Sequence, residues 1–242
     1  MVAAHAATRV LRATELRQLR RDHHAITGNA QALPQAVVLL AQVRRGIGFA
    51  RRRNRQPEAP KVIVVGVDPS LTSSGVAILR DGQPVHVSHH GYSGHNGASW
   101  QSRSRRVRWT VRKIMEALTG TCPDLVVMEG PSYGSQHGAA FDRSGLWHGV
   151  FGALDANLVP IAVVSPKTRA KWATGKGTDD KRTVYNAVKD EWPVTLSAFN
   201  DGGNDEADAL TMAGMGALRL GDLLPIAVPA WRVNGLAAVA WP

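Results

Sequence analysis

The sequence predicts an α/β fold, in which a mixed five-stranded sheet is flanked by helices. From residue 62 onward, short apolar or β-branched runs are interspersed with longer segments of helical periodicity. The first three strand-like runs follow one another directly, whereas a helical segment precedes each of the last two, which is typical of a sheet with antiparallel and parallel parts. With 242 residues, 44% of them hydrophobic, the chain is long enough for one large domain with a buried core.

Five runs are predicted as strands. The first and fourth are continuous apolar runs, the pattern of strands that are buried on both faces. Asp68-Pro69-Ser70 turns the chain after the first strand, and Asp81-Gly82 predicts a two-residue hairpin turn before the third. The predicted strands are residues 62–67, 74–79, 83–90, 125–128 and 161–164.

Four segments are predicted as helices. The first is the clearest, because Val107, Val111, Ile114 and Leu118 recur at spacings of four, three and four and therefore share one face. The predicted helices are residues 100–118, 141–157, 178–191 and 205–220. Helices between the later strands are the connections that parallel pairing requires.

Residues 1–60 are predicted to be a basic N-terminal arm that ends in a linker. They hold eleven arginines and no lysine against three acidic residues, a net charge of +8, whereas residues 61–242 carry only +2. Such an arm suggests a polyanionic partner, with nucleic acid ahead of a membrane surface. A solvated, partly helical extension and an organelle transit peptide are the alternatives. The rest of the chain divides into a predicted domain, residues 61–222, and a C-terminal tail, residues 223–242.

Composition argues against membrane and secreted disulfide-rich classes. No run of 18 apolar residues is present, so the sequence predicts no membrane-spanning helix. The single cysteine, Cys122, excludes an intramolecular disulfide framework and a cysteine-based zinc site. We therefore expect a protein of a reducing, intracellular compartment, which points to the cytoplasm.

Four acidic residues stand at the ends of predicted elements, where α/β sheets form their sites. Asp68 follows the first buried strand and Glu129 ends the fourth, so their side chains meet if those strands are parallel neighbours. Asp205 and Asp208 are three residues apart at the start of the last helix and share one helical face. Singly, each residue is equally typical of a turn or a helix N-terminus. As a set they repel one another, and two divalent cations bound through oxygen relieve that repulsion.

Lysines and an arginine surround the predicted start of the helix at 178–191. Thr178 is the predicted N-cap, and Lys176, Lys181 and Arg182 then cluster beside a helix N-terminus, which attracts phosphate. The segment is not an ATP-binding P-loop, because its leading glycine is missing and Lys176 precedes Gly rather than Ser or Thr.

A second set of basic residues lies on the helix at 100–118. Arg105, Arg108 and Arg112 fall outside its apolar stripe. We interpret them either as a solvated helix face or as a track for a DNA backbone, which would position a duplex arm without reading its bases.

The acidic residues lie in three short motifs, with a lysine-rich segment at 171–181 before the third. The motifs are Gly66-Val67-Asp68-Pro69-Ser70 with Ser74-Gly75-Val76-Ala77, Val127-Met128-Glu129-Gly130, and Asn204-Asp205-Glu206-Ala207-Asp208-Ala209-Leu210. Over about residues 61–220 this set resembles the RuvC-type Holliday junction resolvases, which belong to the RNase H-like superfamily. The actin and sugar-kinase superfamily opens with a similar first motif, but it needs a duplicated second domain for which this chain has little room.

The resemblance implies an RNase H-like fold and metal-binding catalytic roles for the four acidic residues. It implies that Lys181, matched less closely by Lys171, lies near the scissile phosphate, and that residues 171–181 are a basic loop before a helix. Tyr133 stands near the position of an aromatic residue, more usually Phe, that enters the centre of the junction. The resemblance further implies a homodimer that binds a four-way junction and nicks two strands symmetrically with magnesium.

These observations favour a divalent-metal-dependent endonuclease that resolves Holliday junctions or other branched DNA. Two Mg²⁺ ions per site, with Mn²⁺ as a substitute, would activate water and stabilise the leaving oxygen of a phosphodiester. One alternative is an RNase H-like nuclease that acts on RNA–DNA hybrids or flaps, because its site chemistry is the same. Another is a catalytically silent, structure-specific DNA-binding protein, against which the intact set of carboxylates argues, because unneeded acids repel DNA.

Overall fold

A mixed five-stranded sheet forms the centre of the fold, with the strand order β3-β2-β1-β4-β5. The computed structural model describes residues 61–131, 139–177 and 180–242, and the predicted basic arm lies outside them. The strands are β1 (Ile63–Asp68), β2 (Ser74–Arg80), β3 (Gln83–His90), β4 (Leu125–Glu129) and β5 (Ile161–Val164). β2 pairs antiparallel with β1 and β3, whereas β4 pairs parallel with β1 and β5. The mixed five-stranded sheet predicted from the sequence is confirmed.

Helices flank this sheet. In the described ranges they are α1 (Trp100–Ala117), α2 (Ala140–Ala156), α3 (Pro166–Thr174), α4 (Lys181–Glu191), α5 (Gly203–Leu220) and α6 (Ala230–Gly235). The sequence predicted α1, α2, α4 and α5, each with ends that agree to within three residues. It predicted neither α3 nor α6. No helix within the described ranges is long and apolar enough to cross a membrane.

α3 is a helix where the sequence interpretation expected a basic loop, so that expectation is wrong for residues 171–174. The Ser165 side chain caps the helix by accepting a hydrogen bond from the backbone N of Thr168, and Pro166 occupies its first turn. Gly175 ends it with a φ of 81°, in the left-handed region that favours glycine. Lys171 therefore lies in the last turn of a helix.

The start of α4 also differs from the prediction. Asp180, rather than Thr178, is its N-cap, and the Asp180 carboxylate accepts hydrogen bonds from the backbone N of Arg182 and Thr183. Thr178 itself lies outside the described residues. The N-cap therefore lies two residues later than predicted, at a residue type that is favoured there as strongly as threonine.

Alternate strand residues face two separate hydrophobic layers. Val65 and Val67 of β1 pack on the side of α1 and α2, whereas Val64 packs on the side of α3, α4 and α5. Because successive side chains point to opposite faces of a sheet, Asp68 belongs to the same side as Val64.

α5 approaches the sheet closely enough to contact its backbone, because two strand positions carry no side chain. A Cβ atom at Gly66 would lie 1.9 Å from the carbonyl O of Ala209, and one at Gly75 would lie 1.9 Å from the carbonyl O of Asp205. Only glycine leaves room for these contacts. Gly66 and Gly75 thus fix the N-terminal half of α5 over β1 and β2.

The C-terminal segment packs on the domain. Val163 of the edge strand β5 exchanges two backbone hydrogen bonds with Ala240, of 2.9 and 3.0 Å. Arg232, 1% exposed, donates hydrogen bonds to the carbonyl O atoms of Trp172 and Ala173 and to the carboxylate of Glu191. The segment therefore covers a sheet edge and joins α3 to α4.

Candidate active site

Asp68 and Glu129 lie side by side at the C-terminal ends of two parallel strands. Val67 of β1 pairs with Met128 of β4, so the next residue on each strand is one of the two carboxylates. Side-chain alternation turns both toward α5, since Val64 and Val127 face that side. Asp68 is only 6% exposed, and no described group donates a hydrogen bond to its carboxylate.

α5 brings two further carboxylates to the same edge of the sheet. Asp205 and Asp208 lie in its first two turns, and both are buried. Glu206, between them in sequence, has other partners: its carboxylate accepts hydrogen bonds from the backbone N and hydroxyl of Ser197 and contacts His89 Nδ1 at 2.7 Å. The four acidic residues predicted from the sequence thus lie at the same edge of the sheet, and Glu206 anchors the start of the helix instead.

Arg169 reaches into this cluster from α3. The guanidinium group is almost completely buried, with the residue 7% exposed. Its Nε donates a 2.7 Å hydrogen bond to Glu129 Oε1, and its Nη1 donates to Asp208 Oδ1. The sequence interpretation did not include Arg169, because it assigned no helix, and hence no buried face, to residues 166–174.

Burial and mutual repulsion shape the electrostatics of the cluster. Burial raises the pKa of Asp68 well above its ordinary value, and the charges of Glu129 and Asp208 act in the same direction. Burial also raises the pKa of Asp208 to about 7, against the opposing effect of the Arg169 charge. For Arg169, burial alone lowers the pKa, but the carboxylates outweigh it and raise the pKa. One guanidinium therefore leaves much of the negative charge uncompensated.

The donor set suits hard divalent cations by its chemistry. All four side chains offer carboxylate oxygens, the ligands of Mg²⁺ and Mn²⁺, and those of Asp68 have no hydrogen-bond donor among the described groups. Their present spacing does not form a metal cage: in the described parts of the chain, no three His, Cys, Asp or Glu side chains converge at metal-ligand spacing. The guanidinium of Arg169 lies between Glu129 and Asp208.

Comparison with known proteins gives relatives of one kind. The crossover junction endodeoxyribonuclease RuvC of Chlamydia abortus is 26% identical over 153 residues, which are 62% of this chain and 91% of the relative. The RuvC of Chlamydia caviae is also 26% identical over 153 residues, 62% of this chain and 89% of the relative. No protein-family model matches the chain.

Solved structures of RuvC also match the chain. The structure of Thermus thermophilus RuvC superimposes with a TM-score of 0.51 and 20% identity, covering 66% of this chain and 98% of that one. The same protein in complex with a Holliday junction substrate gives a TM-score of 0.50 and 18% identity, over 66% and 96%. The chain has the RuvC fold. The resemblance and the RNase H-like fold class predicted from the motifs are confirmed, and the relatives belong to the predicted enzyme class.

The predicted lysines lie at the ends of α3 and α4. Lys181, the first residue of α4, is exposed, and its charge lowers the pKa of Asp205 and Asp208 against the larger, opposite effect of burial. Lys171 and Lys176 are also exposed. Of the lysines predicted for this site, Lys181 is the one whose charge acts directly on the carboxylates.

Three predicted arginines lie elsewhere on the RuvC fold. Arg105, Arg108 and Arg112 share one exposed face of α1, as their spacing indicated. α1 packs on the opposite side of the sheet from α5, so the structure does not bring these arginines to the carboxylates.

Arg182 and Tyr133 are the two other residues predicted to bind DNA. Arg182 is exposed, with its guanidinium carbon 4.1 Å from the centroid of the Phe199 ring. Tyr133 lies outside the described residues. The sequence interpretation also missed Trp147, whose indole N donates a 2.8 Å hydrogen bond to the carbonyl O of Glu129 and fixes the end of β4.

Proposed function

We propose that this chain is a divalent-metal-dependent endonuclease that resolves four-way DNA junctions by hydrolysing phosphodiesters. The observation that carries the proposal is the set of four largely buried carboxylates, with too little positive charge beside them, at the edge of the sheet where β1 and β4 end. The chain that holds them has the RuvC fold. Such a site is suited to metal ions that also bind the phosphate of a nucleic acid.

Asp68, Glu129, Asp205 and Asp208 would hold two Mg²⁺ ions, for which Mn²⁺ can substitute. When bound, the ions supply the charge that activates a water nucleophile and stabilises the departing 3′ oxygen. The protein contributes the geometry: β1 and β4 fix two of the carboxylates, and the contact of α5 with Gly66 and Gly75 fixes the other two.

Positively charged side chains around the carboxylates would hold the DNA. Lys181 would contact the scissile phosphate; the effect of its charge on Asp205 and Asp208 supports this assignment. Lys171, Lys176 and Arg182 extend this positive region along the ends of α3 and α4. Contacts of this kind bind phosphates without reading sequence.

More distant groups would bind the arms and the centre of the junction. Arg105, Arg108 and Arg112 form an exposed basic face on α1 that suits a duplex arm. We assign Tyr133 to stacking at the junction centre. Two symmetric nicks need two sites, so we propose a homodimer, with the basic residues of segment 1–60 adding further phosphate contacts.

The experiment compares cleavage of a labelled four-way junction, a Y-fork, a plain duplex and an RNA–DNA hybrid in Mg²⁺. Asp201→Asn is the matched control for Asp68→Asn, because Asp201 is an exposed aspartate four residues before Asp205. We expect paired nicks in the junction for wild type and Asp201→Asn. Cleavage of the hybrid or fork in preference to the junction would refute the substrate assignment, and binding without cleavage of any substrate would refute the catalytic one.

A further inference from the structure

We propose that the positive charge of Arg169 balances the site carboxylates when no metal is bound. We further propose that its hydrogen bonds to Glu129 and Asp208 break when divalent cations bind. This inference rests on the proposed metal dependence of the site. It assigns to Arg169 the role of a positioning residue, which holds two metal ligands in place before the metal arrives and which the metal then displaces.

The position of Arg169 is built into the fold. The Ser165 cap and Pro166 fix the start of α3 directly after β5, and Arg169 falls on the buried face of the helix with Ala170, Trp172 and Ala173. Its guanidinium is thus delivered to the carboxylates by a rigid helix whose other buried residues are apolar.

The contacts of Arg169 join ligands from two different elements. Glu129 ends β4 and Asp208 lies in α5, and the guanidinium donates one hydrogen bond to each. A planar, forked donor can bridge two carboxylates in this way, whereas the ammonium group of a lysine is a compact point charge on a flexible chain. Without a bridging cation, the two buried carboxylates would face each other uncompensated, which is costly.

A divalent cation and the guanidinium compete for the same two carboxylate groups. Arg169 occupies one oxygen of each, Glu129 Oε1 and Asp208 Oδ1, and a divalent cation bound beside them would repel the guanidinium. We therefore expect metal binding to displace the guanidinium.

The first test measures Mn²⁺ binding by calorimetry with the full-length chain, without DNA. Arg169→Met removes the competing charge, and we expect it to bind Mn²⁺ at least about tenfold more tightly than wild type, with Arg169→Lys between them. Arg103→Met is the control, because Arg103 is ion-paired to a buried aspartate, Asp142, on the side of the sheet opposite α5. Its affinity should equal that of wild type. Equal or weaker binding by Arg169→Met, with the protein folded, overturns the inference.

The second test uses the wild-type protein and does not depend on whether a variant folds. The Nε–H of Arg169 donates to Glu129, and that of Arg103 donates to Asp142. In the NMR spectrum of ¹⁵N-arginine-labelled protein in chelator, each Nε–H should therefore give a signal that is protected from exchange with solvent. Saturating Mg²⁺ should shift or expose the Arg169 signal and leave that of Arg103 unchanged. Saturable Mg²⁺ binding that leaves the Arg169 signal in place overturns this inference alone. Absence of binding to wild type and Arg169→Met alike overturns the proposed function as well.

Discussion

Without metal, the protein is expected to lose stability as the pH rises through the neutral range, and Asp208 is the group to test. Its folded-state pKa of about 7 exceeds the ordinary value of 3.8. The folded protein therefore keeps a proton that the unfolded chain has already released. Because the folded state binds more protons over this interval, stability falls as the pH rises from about 4 to about 7.

The expected magnitude follows from the two pKa values. They differ by about three pH units, and at about 1.4 kcal/mol for each unit the full loss is about 4 kcal/mol. Roughly half of it, ~2 kcal/mol, falls between about pH 5.5 and pH 8. For a chain of this length that corresponds to a change in Tm of about 4–8 °C.

The assay compares the Tm of wild type and Asp208→Asn by calorimetry, in chelator, at about pH 5.5 and pH 8. Asn cannot ionise, so the Tm of Asp208→Asn relative to wild type should rise by about 4–8 °C between the two pH values. Asp201→Asn, an exposed site, should keep a constant difference from wild type. Saturating Mg²⁺ should stabilise wild type more at pH 8, because metal binds the deprotonated carboxylate. A difference between wild type and Asp208→Asn that is the same at both pH values would refute the reasoning.

Three further predictions concern packing and DNA binding. Gly66→Ala places a Cβ 1.9 Å from the Ala209 carbonyl O, so the free energy of unfolding measured in urea should fall by at least about 2 kcal/mol, and cleavage should be reduced. Near-wild-type stability and cleavage would contradict the close approach of α5 to β1. Arg232→Met leaves Glu191 and three backbone carbonyl groups without their donor, so the free energy of unfolding should fall by about 3 kcal/mol in the same assay. A loss below about 1 kcal/mol would mean that the C-terminal segment is not anchored there. In the triple variant with Gln in place of Arg105, Arg108 and Arg112, junction affinity should depend less steeply on salt concentration. An unchanged slope would show that this face of α1 does not contact DNA.

The sequence was sufficient to predict the sheet and the four carboxylates, because both depend on short-range patterns. Continuous apolar runs marked β1 and β4, and an acid at the end of each strand is brought to one edge by parallel pairing. The three-residue spacing of Asp205 and Asp208 determined their shared face once the helix was recognised. In each case, a pattern within a few residues was enough to predict the element and the edge or face on which its carboxylate lies.

Arg169 and Arg232 could not be found in this way, because their partners are distant in sequence. Arg169 contacts Glu129 and Asp208, which are 40 and 39 residues away, and its burial depends on how α3 is rotated against α5. The Ser165-Pro166 start and the Gly175 end of α3 were readable signals, but the family resemblance implied a basic loop over residues 171–181 instead. Arg232 contacts residues about 60 positions away through a segment whose packing no periodicity indicates.

The most direct measurement of the central claim is cleavage of a labelled four-way junction by wild type and Asp68→Asn, in Mg²⁺ and in chelator, with junction binding measured in parallel. The account predicts paired, symmetric nicks for wild type in Mg²⁺ only. It predicts no cleavage by Asp68→Asn at equal or tighter junction binding, because a buried negative charge that repels phosphate is gone. Cleavage by Asp68→Asn at a near-wild-type rate, or by wild type in chelator, would contradict it.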